Sequence, residues 1–216
     1  MKLPISYGRQ YISDGDIQAV VETLKSDYLT CGPKIPEFEQ AFCEYVHAKY
    51  SVAVCNATAA LHIAAMALGV KEGDNVICTP MTFASSANCI RFCGGNVKFV
   101  DIDPETYLLD INKLKEILST APKGTYKGMV LVDFAGYPHN MEEYRKVADE
   151  YGMWILEDAC HAPGAYFIDS TGERVYCGCG KYSDITVFSF HPVKHITTGE
   201  GGMVCTQNKE YYEKMA

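Results

Sequence analysis

Short apolar runs alternate with segments of helical apolar spacing along most of the 216-residue chain. Seven apolar runs stand out, at residues 52–55, 75–78, 97–100, 128–132, 153–156, 185–190 and 203–206. Apolar residues at helical spacing occupy residues 14–24, 36–45, 58–68, 83–92, 110–118 and 141–151. Strands that alternate with helices of about ten residues indicate βαβ units, so the pattern predicts an α/β fold with a mainly parallel sheet.

The end of the chain departs from this alternation. Only a loop and a glycine-rich turn separate the last two apolar runs, which is too short for a helical crossover. We therefore predict that the final strand is antiparallel to the strand before it. Residues 208–216 then show a helical pattern without a glycine or asparagine stop signal, which predicts a helix that has begun but not finished.

The composition is that of a globular protein and narrows the choice of partners. The formal net charge of -8 argues against nucleic acid and anionic membranes. Residues 1–7 lack the apolar core of a secretory signal, and no stretch approaches the roughly 20 apolar residues that span a bilayer. The ten cysteines are scattered, which predicts small buried side chains in a reducing cytoplasm. Cys177 and Cys179 form the one close pair, and without a second pair no metal site is predicted.

Lys194 is the most informative single residue. It closes the run at residues 184–194, just past the carboxyl end of a predicted buried strand and before the turn at residues 199–202. Partial desolvation at such a place disfavours the charged amine, and a neutral lysine amine is a nucleophile for carbonyl groups. A surface lysine in an ordinary loop is the alternative that this feature alone leaves open.

A second strand also ends in polar groups, Asp158 and then His161. Ligands of open α/β sheets bind outside the carboxyl ends of the strands, so Asp158 and Lys194 could face one crevice. A lysine that forms an imine, beside a carboxylate that pairs with a pyridinium nitrogen, is the arrangement that pyridoxal phosphate requires. Taken alone, Asp158 could also be a helix cap or a metal ligand. His161 could hydrogen-bond or shield a cofactor hydroxyl, although a lone histidine is more often structural.

Other residues could hold the phosphate and the ring of such a ligand. A helix is predicted to begin near Thr58, and the amino terminus of a helix binds anions through its free N–H groups. The small side chain of Ala59 would let a ligand approach the backbone, and Ser189 lies at the end of the strand before Lys194. Phe83 follows the second strand and could stack on a flat ring. The alternatives are a simple helix cap, a serine bonded to backbone and a core phenylalanine.

Taken together, these motifs resemble the DegT/DnrJ/EryC1/StrS sugar aminotransferases, which have the aspartate-aminotransferase-like fold, fold type I. The resemblance rests on residues 189–194 with 199–202, on residues 157–162, and on residues 26–33 followed by 36–39. It spans nearly the whole chain and implies a large domain with a seven-stranded, mainly parallel sheet and helices on both faces. One departure is visible at residues 56–58, where this chain has Asn-Ala-Thr and many members have Ser-Gly-Thr.

The resemblance implies pyridoxal 5'-phosphate as the cofactor and Lys194 as the catalytic residue that binds it covalently. Asp158 would pair with the pyridinium nitrogen, and His161 would lie near the ring hydroxyl. Phe83 would stack on the ring. The phosphate would be held by Thr58, Ala59 and Ser189.

Within this family, residues 190–202 look most like the transaminases of pseudaminic acid synthesis. Those enzymes aminate C4 of a UDP-linked 4-keto-6-deoxy-N-acetyl hexosamine, usually with glutamate as the amine donor. The resemblance therefore implies a UDP-sugar and glutamate as substrates, and a homodimer. Because family members are nearly twice as long, it also implies that residues 1–216 are a PLP-binding large domain without its small carboxyl-terminal domain.

Three other readings belong to different classes of protein. A PLP-dependent ketosugar dehydratase would share the scaffold, but the known enzyme of that kind has histidine at the position of Lys194. An inactive, truncated or non-catalytic protein could have kept the fold. A dinucleotide-binding protein would need a glycine fingerprint after the first strand, and the sequence has none there.

Overall fold

A computed structural model describes residues 9–216 of the chain. Helices and strands follow one another as α1 (Asp14–Lys25), α2 (Lys34–Val46), β1 (Tyr50–Val54), α3 (Ala57–Ala67), β2 (Asn75–Cys78), α4 (Ser85–Phe92), β3 (Asn96–Phe99), α5 (Ile111–Thr120), β4 (Tyr126–Val132), α6 (Met141–Tyr151), β5 (Trp154–Asp158), β6 (Tyr166–Ile168), β7 (Arg174–Tyr176), β8 (Ile185–Ser189), β9 (Gly202–Thr206) and α7 (Lys209–Met215). A short 3-10 turn, Phe134–Gly136, follows β4.

Seven strands form one sheet in the order β1-β9-β8-β5-β4-β2-β3. Strands β2, β3, β4, β5 and β8 pair in parallel, whereas β9 is antiparallel to both of its neighbours, β1 and β8. The predictions of a mainly parallel seven-stranded sheet and of an antiparallel last strand are therefore confirmed. The hairpin of β6 and β7 was not predicted, because strands of three residues are too short to show a periodicity.

Side chains that alternate along the central strands cover both faces of the sheet. On one face, Val130 and Leu156 pack with α3, α4 and α7. On the other face, Met129, Leu131 and Ile155 pack with α5 and α6. A third cluster joins α2 to β8 and β9, again away from α3. This arrangement confirms the predicted helices on both faces, and alternation of buried side chains on successive residues explains it.

Helix α1 forms as predicted but buries none of its residues. Its apolar side chains remain exposed, with Val20 at 58% and Leu24 at 63% of full exposure. The ten cysteines are unpaired in the structure, and Cys31 and Cys55 are exposed. Cys55 corrects the expectation of buried cysteines because it follows the last residue of β1, in the turn that leads into α3. Within residues 9–216, no helix combines the length and the apolar character needed to cross a bilayer.

Candidate active site

The carboxyl ends of β5 and β8, with the loops beyond β4 and β8, enclose a cavity of about 360 Å³. Parallel strands end at one edge of the sheet, which is why polar residues from distant parts of the sequence meet there. Six of the seven predicted site residues line this cavity: Thr58, Phe83, Asp158, His161, Ser189 and Lys194. Ala59 is not among the lining residues, and its N–H donates to the Asn56 Oδ1 atom at 2.9 Å. Its place in the site stays a prediction.

Asp158 ends β5 and is only 4% exposed. Its Oδ2 atom accepts a hydrogen bond of 2.5 Å from the Ser86 hydroxyl, and its Oδ1 atom accepts one of 3.2 Å from the Cys160 N–H. The ion pairs within 4.0 Å that the described part of the chain forms do not include Asp158. A buried carboxylate without a cation is costly, so this position favours a ligand that brings a positive charge.

His161 is half-buried and fixed in one tautomer by its neighbour. The Ala135 N–H donates to the His161 Nδ1 atom at 3.2 Å, so the neutral ring carries its hydrogen on Nε2. Burial lowers the pKa of His161, and the positive charge of Lys194 lowers it further, against the opposite effect of Asp158. His161 is therefore a neutral hydrogen-bond donor that lines the same cavity as Lys194 and Asp158.

Lys194 lies in the loop between β8 and β9 and is half-buried. Its N–H donates to the His191 carbonyl at 2.9 Å, which closes a turn at the cavity wall. Phe190 anchors both ends of the loop, because its N–H donates to the Gly201 carbonyl at 2.9 Å and its carbonyl accepts the Thr198 N–H at 3.1 Å. These bonds place the Lys194 side chain against the same space as Asp158.

The amino terminus of α3 forms another wall of the cavity. The Asn56 side chain caps the helix, and Ala57 and Thr58 line the cavity. The Thr58 hydroxyl lies 2.7 Å from that of Ser85, so two hydroxyl groups meet beside the free N–H groups of the helix. Ala57 is the first helical residue and is not among the positive-φ residues of the described chain, so its backbone conformation does not require glycine.

Phe83 precedes α4 and is 75% exposed at the cavity, so its ring is free to stack on a flat ligand. The structure also places Ser85, Cys160 and Glu200 at the cavity, which the sequence reasoning did not single out. Ser86 was missed as well, although it bonds directly to Asp158. One signal could have indicated Ser86: it precedes Cys89 and Ile90 by three and four residues, and all three lie on the buried face of α4.

Glu157 points away from the cavity, because neighbouring residues of a strand face opposite sides of the sheet. Its Oε2 atom accepts hydrogen bonds from Thr186 at 2.6 Å and from Ser183 at 2.9 Å. Burial raises the pKa of Glu157, and the nearby charge of Asp133 raises it further. One ligand atom each of Asp133, Glu157 and Cys177 lies within 4.8 Å of the others, and all three residues are buried.

Comparison with known proteins connects this cavity to a family. The model of the DegT/DnrJ/EryC1/StrS aminotransferase family matches residues 10–216. A UDP-4-amino-4,6-dideoxy-N-acetyl-beta-L-altrosamine transaminase of Campylobacter jejuni (serotype O:23/36, strain 81-176) is 41% identical over 212 residues, which are 98% of this chain and 54% of that protein. The chain spans about half the length of the curated relatives it matches.

Solved structures show the same relationship. PseC of Helicobacter pylori, an aminotransferase involved in the biosynthesis of pseudoaminic acid, is similar with a TM-score of 0.87 and 31% identity, over 97% of this chain and 54% of that chain. NtdA of Bacillus subtilis, solved with its bound cofactor PMP, is similar with a TM-score of 0.81 and 30% identity, over 94% of this chain and 45% of that chain.

Proposed function

The chain belongs to the DegT/DnrJ/EryC1/StrS aminotransferase family, and we propose that it binds pyridoxal 5'-phosphate and transfers an amino group to a nucleotide-linked ketosugar. The observation that carries this proposal is that Lys194 and Asp158 line one cavity at the carboxyl edge of the sheet. Asp158 ends β5, and Lys194 lies in the loop after β8. Strands β5 and β8 are parallel neighbours in the sheet, so both residues lie at the same edge.

The residues of the cavity fit this cofactor. Asp158 is a buried carboxylate without an ion partner in the described chain, as a protonated ring nitrogen requires. The amino terminus of α3, with the hydroxyl groups of Thr58, Ser85 and Ser189, suits a phosphate. When bound, pyridoxal phosphate supplies an aldehyde that takes up an amino group and a ring that withdraws electrons.

The residues of this chain then have separate tasks. Lys194 would provide the amine that holds the aldehyde group of the cofactor, and the same Nζ atom, once released, could carry the proton of the substrate carbon that bears the nitrogen. Asp158 keeps the ring nitrogen protonated, and His161 donates its Nε2 hydrogen towards the ring oxygen. Phe83 covers the ring and excludes water from that side.

The finer part of the proposal concerns substrates and setting. We propose a UDP-linked 4-keto-6-deoxy-N-acetyl hexosamine as the amine acceptor, glutamate as the donor, and synthesis of a nonulosonic acid such as pseudaminic acid as the purpose. Support comes from the similar transaminase of C. jejuni and from PseC of H. pylori. A homodimer in the cytoplasm, with residues 1–216 as the PLP-binding domain, completes the proposal, and the unpaired cysteines agree with a reducing compartment.

Covalent capture of the cofactor tests the proposal directly. The protein is incubated with pyridoxal phosphate, reduced with borohydride and digested, and mass spectrometry locates the modified lysine. We expect the label on Lys194 and its loss in Lys194→Ala, whereas Lys127→Ala, which removes an exposed lysine of β4, keeps it. A Lys194→Ala protein that still captures the cofactor at the same stoichiometry contradicts the assignment.

A second measurement separates transamination from the other classes of function. Glutamate added to the loaded protein is expected to convert the cofactor to its amine form, seen by absorbance, and a UDP-ketosugar is expected to reverse the conversion. An unchanged spectrum with both substrates indicates a binding protein. Loss of a hydroxyl group from the sugar without gain of nitrogen indicates a dehydratase.

A further inference from the structure

We infer that Ser86, supported by Thr82, is the positioning residue that aims the Asp158 carboxylate at the ring nitrogen of the bound cofactor. The inference rests on the proposed function, because it assigns Ser86 a task within that site. Ser86 is fully buried at 0% exposure and lies 72 residues from Asp158 in the sequence. No motif joins the two residues, and the fold brings them together at the start of α4 and the end of β5.

The direction of the hydrogen bonds follows from the chemistry of the groups. A carboxylate only accepts, so the Ser86 hydroxyl must donate to the Asp158 Oδ2 atom, at 2.5 Å. The Phe83 carbonyl is a weaker competitor for that hydrogen at 3.3 Å. The Thr82 hydroxyl lies 2.6 Å from the Ser86 oxygen, and it must be the donor because the single hydrogen of Ser86 is already used.

Two hydroxyl groups therefore form a short chain that ends on the carboxylate. A donor that itself accepts a hydrogen bond is polarised and binds its own acceptor more strongly. The Cys160 N–H holds the other carboxylate oxygen at 3.2 Å, so the group is fixed at both oxygens. Rotation of Asp158 about its side-chain bonds would break at least one of these bonds in a buried site. The remaining lone pairs face the cavity, where the ring nitrogen would lie.

This arrangement makes the contribution of Ser86 depend on the ring nitrogen. If Ser86 acts by aiming Asp158, its hydroxyl matters for a ligand that has the nitrogen and is unimportant for a ligand that lacks it. A serine that only supports the packing of α4 would affect both ligands equally. The cofactor analogue 1-deaza-pyridoxal phosphate, with carbon in place of that nitrogen, distinguishes these two roles.

The test measures the dissociation constants of pyridoxal phosphate and of its 1-deaza analogue for wild-type protein and Ser86→Ala. We expect Ser86→Ala to weaken pyridoxal phosphate binding about tenfold to 150-fold, as the loss of a hydrogen bond to a charged group implies. Binding of the 1-deaza analogue should change less than about twofold, since its ring has no nitrogen to pair with the Asp158 carboxylate. Thr82→Val should show the same pattern with a smaller loss, because it removes only the second hydroxyl.

Two further variants keep the result interpretable. Ser86→Thr retains a hydroxyl and should restore binding of pyridoxal phosphate, which also covers the case in which Ser86→Ala folds poorly. Ser51→Ala is the matched control, because it removes another buried serine hydroxyl away from the cavity. Ser51 lies in β1, and its hydroxyl donates to the Glu39 carbonyl of α2 at 2.8 Å. It should leave both dissociation constants unchanged.

The outcomes distinguish this inference from the proposed function. Equal losses for the two ligands, or no loss for either, overturn the role of Ser86 while capture of the cofactor by Lys194 still stands. Failure of wild-type protein to capture the cofactor at Lys194 overturns the proposed function and the role of Ser86 with it.

Discussion

Gly202 is the glycine whose replacement should most directly disturb cofactor binding. It begins β9 between Val54 of β1 and Ser189 of β8. A Cβ atom at this position would lie 2.7 Å from the carbonyl carbon of Asn56 and 2.8 Å from the nitrogen of Ala57. Both atoms belong to the backbone that begins α3, so no side chain can rotate away to make room.

The size of the disturbance follows from these distances. Ordinary contacts of a Cβ atom begin near 3.4 Å, so the backbone must move by about 0.7 Å (3.4 minus 2.7). That movement displaces either the amino terminus of α3 or β9 with its neighbour Ser189, and both are predicted phosphate contacts. Overpacking of this kind costs about 1–3 kcal/mol of folding stability. Where cofactor binding requires the original position of α3, binding works against the same energy, which corresponds to a roughly fivefold to 150-fold rise in the dissociation constant.

The assay compares the affinity of Gly202→Ala and wild-type protein for pyridoxal phosphate by fluorescence titration. Gly15→Ala is the matched control, because its Cβ atom would meet only the Ser13 hydroxyl at 3.5 Å, near the start of α1. The control should bind normally and be slightly more stable, since alanine favours a helix over glycine. The reasoning is refuted if Gly202→Ala binds the cofactor within twofold of wild type and melts at the same temperature.

Two further predictions concern the sheet beneath the cavity. Glu157→Gln should reduce the loss of stability at alkaline pH. Burial raises the pKa of Glu157 from 4.5 to about 8 in the folded protein. The stability that this carboxyl group contributes is therefore complete below pH 4.5 and is lost as the pH rises through about 8. Urea unfolding at about pH 6 and about pH 9 checks this, and equal losses in both proteins contradict it. Gly128→Ala should destabilise the protein by roughly 1–3 kcal/mol, because its Cβ atom would collide with the Trp154 ring. Unfolding in urea at neutral pH measures this, with Gly15→Ala as control, and an unchanged midpoint contradicts it.

The sheet was predictable because each of its strands carries a local signal. Seven apolar runs became the seven strands, and the short link before the last run required its antiparallel pairing. The order of the strands was not predictable. Strand β9 is inserted between β1 and β8, far from β1 in the sequence, and no periodicity reports which distant strands will pair.

In the candidate site too, residues with a local sequence signal were predictable and residues that depend on distant contacts were not. Lys194 and Asp158 were indicated by their position after buried strands, a local feature that parallel topology converts into proximity. Ser86 had no such feature, because its role depends on a hydrogen bond to Asp158, which lies 72 residues away in the sequence. Ala59 was indicated only by its place near a predicted helix start; the structure puts Ala57 at that start, and the role of Ala59 in the site stays a prediction.

The neighbours Glu157 and Asp158 show how one strand gives two carboxyl groups opposite environments. Asp158 faces the cavity, and its two oxygen atoms accept hydrogen bonds from the Ser86 hydroxyl and the Cys160 N–H. Glu157 faces the other side of the sheet, where burial and Asp133 raise its pKa and favour the neutral form. A shift of register by one residue would exchange them and present the cofactor with the neutral group. The pairing of Asp158 with Val132 on one side and Val187 on the other therefore fixes the charge of the site as well as the fold.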